Sequence, residues 1–172
     1  YLREVRGLGR VAIVDWDVHH GNGTQDAFYD DPTVFYASIH QIPHFPGSGH
    51  DWETGKNEAK GTILNVPVPP GTTNDEFVGA VSDTIVPAVR EFAPEFLLVS
   101  AGFDAHESDM LSSQHVSTRG YADITKLLMD CARDCCHGRL VSVLEGGYNL
   151  SSLADAVEAH VRTMINGDSE DE

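Results

Sequence analysis

Val11-Ala12-Ile13-Val14-Asp15-Trp16-Asp17-Val18-His19-His20-Gly21 is the stretch that decides the fold. Its first four residues form a short apolar run without polar alternation, as expected of a strand covered on both faces in a parallel sheet. The run passes directly into carboxylates and imidazoles. In open parallel α/β sheets, ligands bind beyond the carboxyl ends of the strands. Residues two apart in extended chain point the same way. Asp15, Asp17 and His19 therefore share one side, with Trp16 and Val18 on the other. Two carboxylates and an imidazole in a partly buried place repel, or lose hydration, unless a cation joins them. A divalent metal resolves that conflict, and these donors suit Zn²⁺ at ~2.0–2.2 Å. The plain alternative is a solvated loop with Asp and His as turn formers. His20 faces away in this scheme and is not read as a ligand.

Working outward, similar short runs occur at Val34–Ile39, Ile63–Val68, Phe96–Val99 and Leu140–Leu144. Longer amphipathic stretches lie between them. One spans about Asn74 to Phe92, with Asn74 as N-cap, Asp75 and Glu76 in the first turn, and Phe77, Val81, Ile85 and Val89 recurring every four residues. Pro87 kinks it or starts a second segment. A second helix spans about Thr118 to Cys136. A third starts near Ser151 or Ser152 and reaches about Ile165. The alternation predicts an α/β fold with a mostly parallel central sheet flanked by helices. Gln41–Gly61, rich in Gly and Pro, reads as one long loop rather than a linker, and loops of that length are usually functional or disordered. The domain is expected over residues 1–166, followed by an acidic tail over 167–172 that frays in solvent.

The chain has 172 residues and a formal net charge of −16. That length suits one domain with its own core. The charge argues against direct nucleic-acid binding, which needs clustered Lys and Arg, yet it would attract basic partners. No apolar run reaches the ~20 residues of a membrane span, and Tyr1-Leu2-Arg3-Glu4 opens no signal peptide. Cys131, Cys135 and Cys136 give no disulfide framework and suit a reducing compartment. They read as core or surface thiols. The expected location is cytoplasmic, or nuclear and cytoplasmic in a eukaryote, and not secreted.

Two other strand ends carry polar groups. Phe96–Val99 leads to Ser100-Ala101-Gly102-Phe103-Asp104, and Leu140–Leu144 leads to Glu145-Gly146-Gly147-Tyr148. Asp104 alone reads as a helix cap, but a zinc site with Asp17 and His19 lacks a third protein ligand. Three protein ligands and an open position describe a catalytic zinc. Tyr148 is placed to donate a hydrogen bond to an oxyanion, or is an ordinary loop tyrosine. His40, His44, His50, His106, His115, His137 and His160 read mostly as surface or capping residues. Phe45 lines a pocket wall or anchors the long loop.

Asp15-Trp16-Asp17-Val18-His19-His20-Gly21-Asn22-Gly23-Thr24-Gln25 closely resembles the metal-binding segment of zinc-dependent histone deacetylases, of the class II branch and its bacterial relatives, including acetylpolyamine amidohydrolases. Phe45–Gly49, Asn65–Pro67, Ala101–His106 and Glu145–Leu150 match in the family's order, so the resemblance runs from about Arg10 to Ile165. It implies the arginase-deacetylase fold. It also implies Asp17, His19 and Asp104 as zinc ligands, with Tyr148 polarising the amide carbonyl. Phe45 and Gly147 belong to the acyl-lysine tunnel. Asp15 orients a catalytic histidine and helps hold a potassium ion, together with positions matching Asp17, His19, Ser38 and Ile39. A second potassium site matches Phe28, Asp31, Val34 and Thr62. Asn22 orients a second histidine.

One departure matters. The family's catalytic His-His pair lies upstream of the segment matching Asp15, and Tyr1–Arg10 contains no histidine. The chain thus resembles the C-terminal portion of a deacetylase domain, incomplete and inactive by itself. The implied substrates are acetyl-lysine side chains of basic proteins such as histones, or acetylated polyamines. A two-manganese arginase-type hydrolase is disfavoured because Ala105 and His106, not a further Asp, follow Asp104. A zinc-binding or partner-binding remnant is the remaining alternative. Oligomeric state is not legible.

Overall fold

Five strands make one parallel sheet in the order β3-β2-β1-β4-β5. They are β1 (Val11–Asp15), β2 (Val34–Gln41), β3 (Ile63–Val68), β4 (Leu97–Ala101) and β5 (Leu140–Leu144). The computed structural model describes residues 1–167, so the expected acidic tail lies, beyond Gly167, outside the described residues. From β1 the chain builds β2 and β3 on one side, then returns to lay β4 and β5 on the other. That reversal opens a crevice at the carboxyl ends of β1 and β4, where α/β sheets bind ligands. Asp15 sits at this edge, in register with Ser38 of β2 and Ser100 of β4.

One face of the sheet carries most of the core. Ala12, Val14, Leu97, Val99 and Ala101 pack there against helical Phe77, Ile85, Val89, Ile124 and Leu128, with Trp16 and Phe103 at the crevice end. These helical residues come from α2 (Asn74–Ala80), a π-helical turn at Val81–Ile85, α3 (Val86–Phe92) and α4 (Thr118–Cys136). Pro87 has no N–H to give, and the wider turn before it admits the ring, so Pro87 starts a second segment, one of the two outcomes expected of it. The N-cap of α2 is Thr73, not Asn74: Thr73 and Glu76 form a reciprocal capping box. Asn74 is diverted, its side-chain oxygen accepting from Ser117 N at 3.1 Å and Ser117 Oγ at 2.9 Å.

Three further differences concern position. Helix α1 (Asn22–Phe28) follows the His-His-Gly stretch directly, without a side-chain cap, and packs on the other face of the sheet. Helix α5 (Leu150–Asn166) begins at Leu150, capped by Asn149. Strand β5 is an edge and is not covered on both faces, for Val141 and Val143 are 45% and 53% exposed. The long loop has one short 3₁₀ turn, Asn57–Ala59. Cys131 and Cys136 are buried, and burial pushes the Cys131 thiol up to about 12. No helix among the described residues is long and apolar enough to cross a membrane.

Candidate functional site

Beyond β1, which ends at Asp15, the chain is not extended as expected but bends through Asp17, Val18 and His19, held by its own carboxylates. Asp15 Oδ1 accepts from Asp17 N at 3.0 Å, and Asp17 Oδ1 accepts from His19 N at 2.8 Å. Asp104, beyond β4, accepts from Val18 N at 2.9 Å through Oδ1. Gly146, beyond β5, donates its N–H to Asp17 Oδ2 at 2.8 Å. Three strand ends are thereby sewn together. The result is that Asp17, His19 and Asp104 offer ligand atoms within 4.8 Å of one another, the one such group among the described residues.

The donor geometry fits a cation. His19 Nδ1 lies 2.9 Å from Asp17 Oδ1 and 3.2 Å from Asp104 Oδ2. One ring N–H cannot serve both well, so the buried Asp104 Oδ2 has no hydrogen bond of good geometry. An orphaned buried carboxylate oxygen is costly. Hydrogen bonding to Asp104, then Asp17, pushes the His19 imidazole up to about 10, which shows how strongly the two carboxylates favour positive charge at this point. Burial holds Asp104 above the ordinary carboxylate range. Burial also raises Asp17, but hydrogen bonds from the ring and backbone of His19 and from Gly146 outweigh it, and Asp17 ends below that range. Two carboxylates and an imidazole match the three-protein-ligand pattern of zinc with an open position.

Two glycines make the approach possible. A Cβ at Gly102 would overlap Asp17, and one at Gly146 would overlap the carboxylates of Asp104 and Asp17. A cavity of about 400 Å³ opens beside the cluster, lined by Asp15, Asp17, His19, His20, Glu145 and Tyr148, among others. Ser100 Oγ donates to Glu145 Oε1 at 2.8 Å, fixing an acidic wall that the sequence reading left unassigned.

Tyr148 stands on this cavity, 55% exposed. Partial burial, then the carboxylates of Asp104, Asp17 and Asp109, push its phenol up, so it stays protonated and can donate. Gly147 precedes it at φ 141°, against Leu153 and Phe103. Phe45 is 76% exposed, so it does not anchor the loop on the core. Its ring stands edge-on to His19 at 6.4 Å, while His44 stacks on His19 at 4.8 Å. Asp15 is buried, accepts from Tyr36 Oη at 2.9 Å, and is pushed up to about 8, chiefly by that burial. Asn22 opens α1 and is exposed.

The residues matched to potassium fall in two places. Ser38, whose Oγ lies 2.9 Å from His40 Nδ1, and Ile39 face the end of β1 from β2. Phe28, Asp31 and Val34 share the turn between α1 and β2, where Phe28 O accepts from Asp31 N and Asp31 O from Val34 N. Thr62 joins them by accepting from Tyr36 N at 2.9 Å.

Several histidines read as surface residues are interior. His40, His106 and His160 are each at most 5% exposed. His160 is bonded by both ring nitrogens, to Thr125 Oγ1 at 2.7 Å and Ser142 Oγ at 2.9 Å. His20, correctly turned from the metal cluster, bonds Ser48 Oγ at 2.8 Å and Gln25 Oε1 at 3.0 Å, and Gln25 reaches Glu53 at 2.6 Å. This network ties the loop bearing Phe45 to α1. Asp109 was also missed, and its only sequence signal is a carboxylate five residues after Asp104.

Known proteins resemble this chain over nearly its whole length. Residues 1–164 match the histone deacetylase domain. A probable deacetylase of Archaeoglobus fulgidus is 43% identical over 84% of the chain, and histone deacetylase 14, chloroplastic, of Arabidopsis thaliana is 41% identical over 98%. The chain spans 40% of the length of each. Among solved structures, the HDA15 HD domain superposes with a TM-score of 0.89 at 36% identity, covering 95% of this chain and 46% of that one. The histone deacetylase Clr3 gives 0.90 at 34%, covering 96% and 28%. A matched domain over nearly the whole chain, relatives above 40% identity and a shared parallel sheet lead to one conclusion: the chain belongs to the histone deacetylase family.

Proposed function

We propose that the full-length protein containing this chain is a zinc-dependent amidohydrolase that removes acetyl groups from lysine side chains of basic proteins such as histones. The observation that carries the reading is the convergence of Asp17, His19 and Asp104, in which the buried Asp104 Oδ2 meets only a ring nitrogen that Asp17 also engages. These three residues would hold the zinc, which supplies Lewis-acid polarisation of the acyl carbonyl and activation of water. Tyr148, kept protonated, donates its O–H to the carbonyl oxygen as charge develops there. Phe45 and Gly147 flank the acyl-lysine side chain. The acidic cavity wall at Glu145 and the net charge of −16 favour substrates with cationic surroundings.

Water activation also needs a proton acceptor. Among the described residues, His19 belongs to the metal cluster and His20 is bonded by both ring nitrogens. The resemblance, not elimination, assigns the acceptor to the histidine pair that the family carries upstream, positioned by Asp15 and Asn22, and on that reading the 172-residue chain alone is inactive. Potassium is assigned to Asp15, Asp17, His19, Ser38 and Ile39, and a second ion to Phe28, Asp31, Val34 and Thr62. One zinc is favoured over a two-manganese site because the His106 ring is occupied by Thr118 Oγ1 and Ser108 N.

The test is an assay of the full-length protein on acetyl-lysine peptide and on acetylpolyamine, with and without a zinc chelator. Chelator-sensitive peptide turnover supports the reading. Turnover of polyamine alone moves the substrate to the alternative supported by the same acidity, and two tightly bound Mn²⁺ per chain would overturn the zinc assignment. Tyr148→Phe should lower kcat by roughly 10²–10³-fold with zinc retained; unchanged kcat removes Tyr148 from the mechanism. A tagged protein in the cytosol or nucleus supports the expected compartment. Plastid import, the compartment named for the Arabidopsis relative, overturns it.

A further inference from the structure

Asp109 is a buried carboxylate that neither the metal cluster nor the core uses. It is 5% exposed, and three backbone N–H groups satisfy it. Oδ1 accepts from Leu111 N at 3.0 Å. Oδ2 accepts from Tyr148 N at 2.7 Å and from Asn149 N at 3.1 Å. Asn149 returns the contact, its Nδ2 donating to Ser108 O at 2.8 Å. The loop bearing Tyr148 is thus clamped, at the reacting residue and its neighbour, to the segment that follows Asp104.

We propose that Asp109 is a positioning residue that fixes where the Tyr148 hydroxyl stands over the metal cluster. The proposal rests on the deacetylase reading above. The physical argument is one of anchorage. The Tyr148 side chain is 55% exposed and its hydroxyl has no hydrogen-bond partner among the described residues, so side-chain contacts do little to place it. Gly146 and Gly147 precede it, and glycine by itself restricts the backbone least. Gly146 is held from one side by Asp17 Oδ2, and Phe103 N donates to Gly146 O at 2.7 Å. Past Gly147, the next fixed point is the Asp109 carboxylate. Two N–H groups of adjacent residues converging on one carboxylate oxygen fix the backbone there in both position and direction. Asp109 is not needed to cap α5, because Asn149 already accepts from Ser151 N and Ser152 N. Its two bonds to residues 148 and 149 therefore set the approach to the helix rather than the helix itself.

The full-length protein tests this through Asp109→Asn, Asp109→Ser, Tyr148→Phe and the Asp109→Asn/Tyr148→Phe double variant, with zinc content, melting temperature, kcat and KM for an acetyl-lysine peptide. An angstrom-scale misplacement of a catalytic group costs about 100-fold. The expected result is a kcat loss of roughly 10- to 100-fold in both Asp109 variants, larger for Ser, with KM and zinc content unchanged. In the Tyr148→Phe background, Asp109→Asn should lower kcat no further. An equal additional loss there would show that Asp109 acts independently of Tyr148 and overturns the proposal, as would wild-type kcat in both Asp109 variants. Loss of zinc or of a cooperative melt in both assigns Asp109 to the fold and also overturns it. Wild-type kcat in Tyr148→Phe would sink the role of Tyr148 and this proposal together. A large Tyr148→Phe effect beside silent Asp109 variants sinks this proposal alone.

Discussion

Replacing Gly146 by Ala tests whether Asp17 and Asp104 are metal ligands without touching either of them. A Cβ on Gly146 would lie 2.6 Å from Asp17 Oδ2 and closer still to Asp104 Oδ2, where ordinary contacts begin near 3.4 Å. One or both carboxylates must retreat by roughly 1 Å, and forced repacking of this kind costs about 1–3 kcal/mol. Metal sites tolerate ligand displacements of only ~0.2 Å. Zinc affinity should therefore fall by at least ~10- to 100-fold, the range seen when groups supporting metal ligands are lost. The measurement is competition against a chromophoric chelator, with melting curves recorded with and without zinc. Gly23→Ala is the control: nothing lies within 4 Å of its Cβ position, and it sits in helix α1. That variant should bind zinc as wild type does and gain about 0.5–1 kcal/mol of stability. If Gly146→Ala binds zinc with wild-type affinity, the crowded carboxylates are not its ligands.

Two further outcomes follow from the same structure. Asp104→Asn should abolish the rise in melting temperature that zinc gives the wild type, a rise worth about 4 kcal/mol at a thousandfold excess over Kd; a retained rise refutes Asp104 as a ligand. His160 is buried and neutral, its pKa pushed down to about 4 by burial, against 6.5 when unfolded. The unfolded chain takes up that proton first, so this contribution is complete above pH 6.5 and is lost as pH falls from about 6.5 to 4. The loss is on the order of 3 kcal/mol. Urea denaturation across that window should show a shallower acid decline for His160→Gln than for wild type, and parallel declines would refute the burial argument.

The legible parts of this protein are those determined locally. Val11–Val14 needs only its own apolar run to read as a strand. Asp15, Asp17 and His19 gather at one site not through extended chain, as expected, but through a bend over Asp17–His19 held by bonds two residues long, Asp17 N to Asp15 and His19 N to Asp17. Distant partners decide what stayed illegible. Asn74 loses the capping position because Ser117, 43 residues away, takes its side-chain oxygen. His160 is interior because Thr125 and Ser142 meet both ring nitrogens. Helix α1 gives no apolar stripe to read, since its buried residue is Gln25, and that burial is repaid by His20, Glu53 and Asn65.

The strand order explains why the acids had to come from separate segments. A single strand end can aim Asp15, Asp17 and His19 to one side, but it cannot enclose a cation, because the opposite hemisphere is open. The reversal between β1 and β4 puts a second carboxyl end beside the first, and Asp104 reaches across it to accept from Val18 N. Strand β5 then brings Gly146 against both carboxylates, where a residue with a side chain would not fit. Each carboxylate is thus oriented by an N–H from another strand end, leaving one lone pair of Asp104 Oδ2 unspent. The −16 charge could not place a site, since most of it is spread over the surface. What places it is that reversal of the strand order, which concentrates Asp15, Asp17, Asp104 and Glu145 at one crevice, where burial raises Asp15 and Asp104 and a cation would relieve the repulsion.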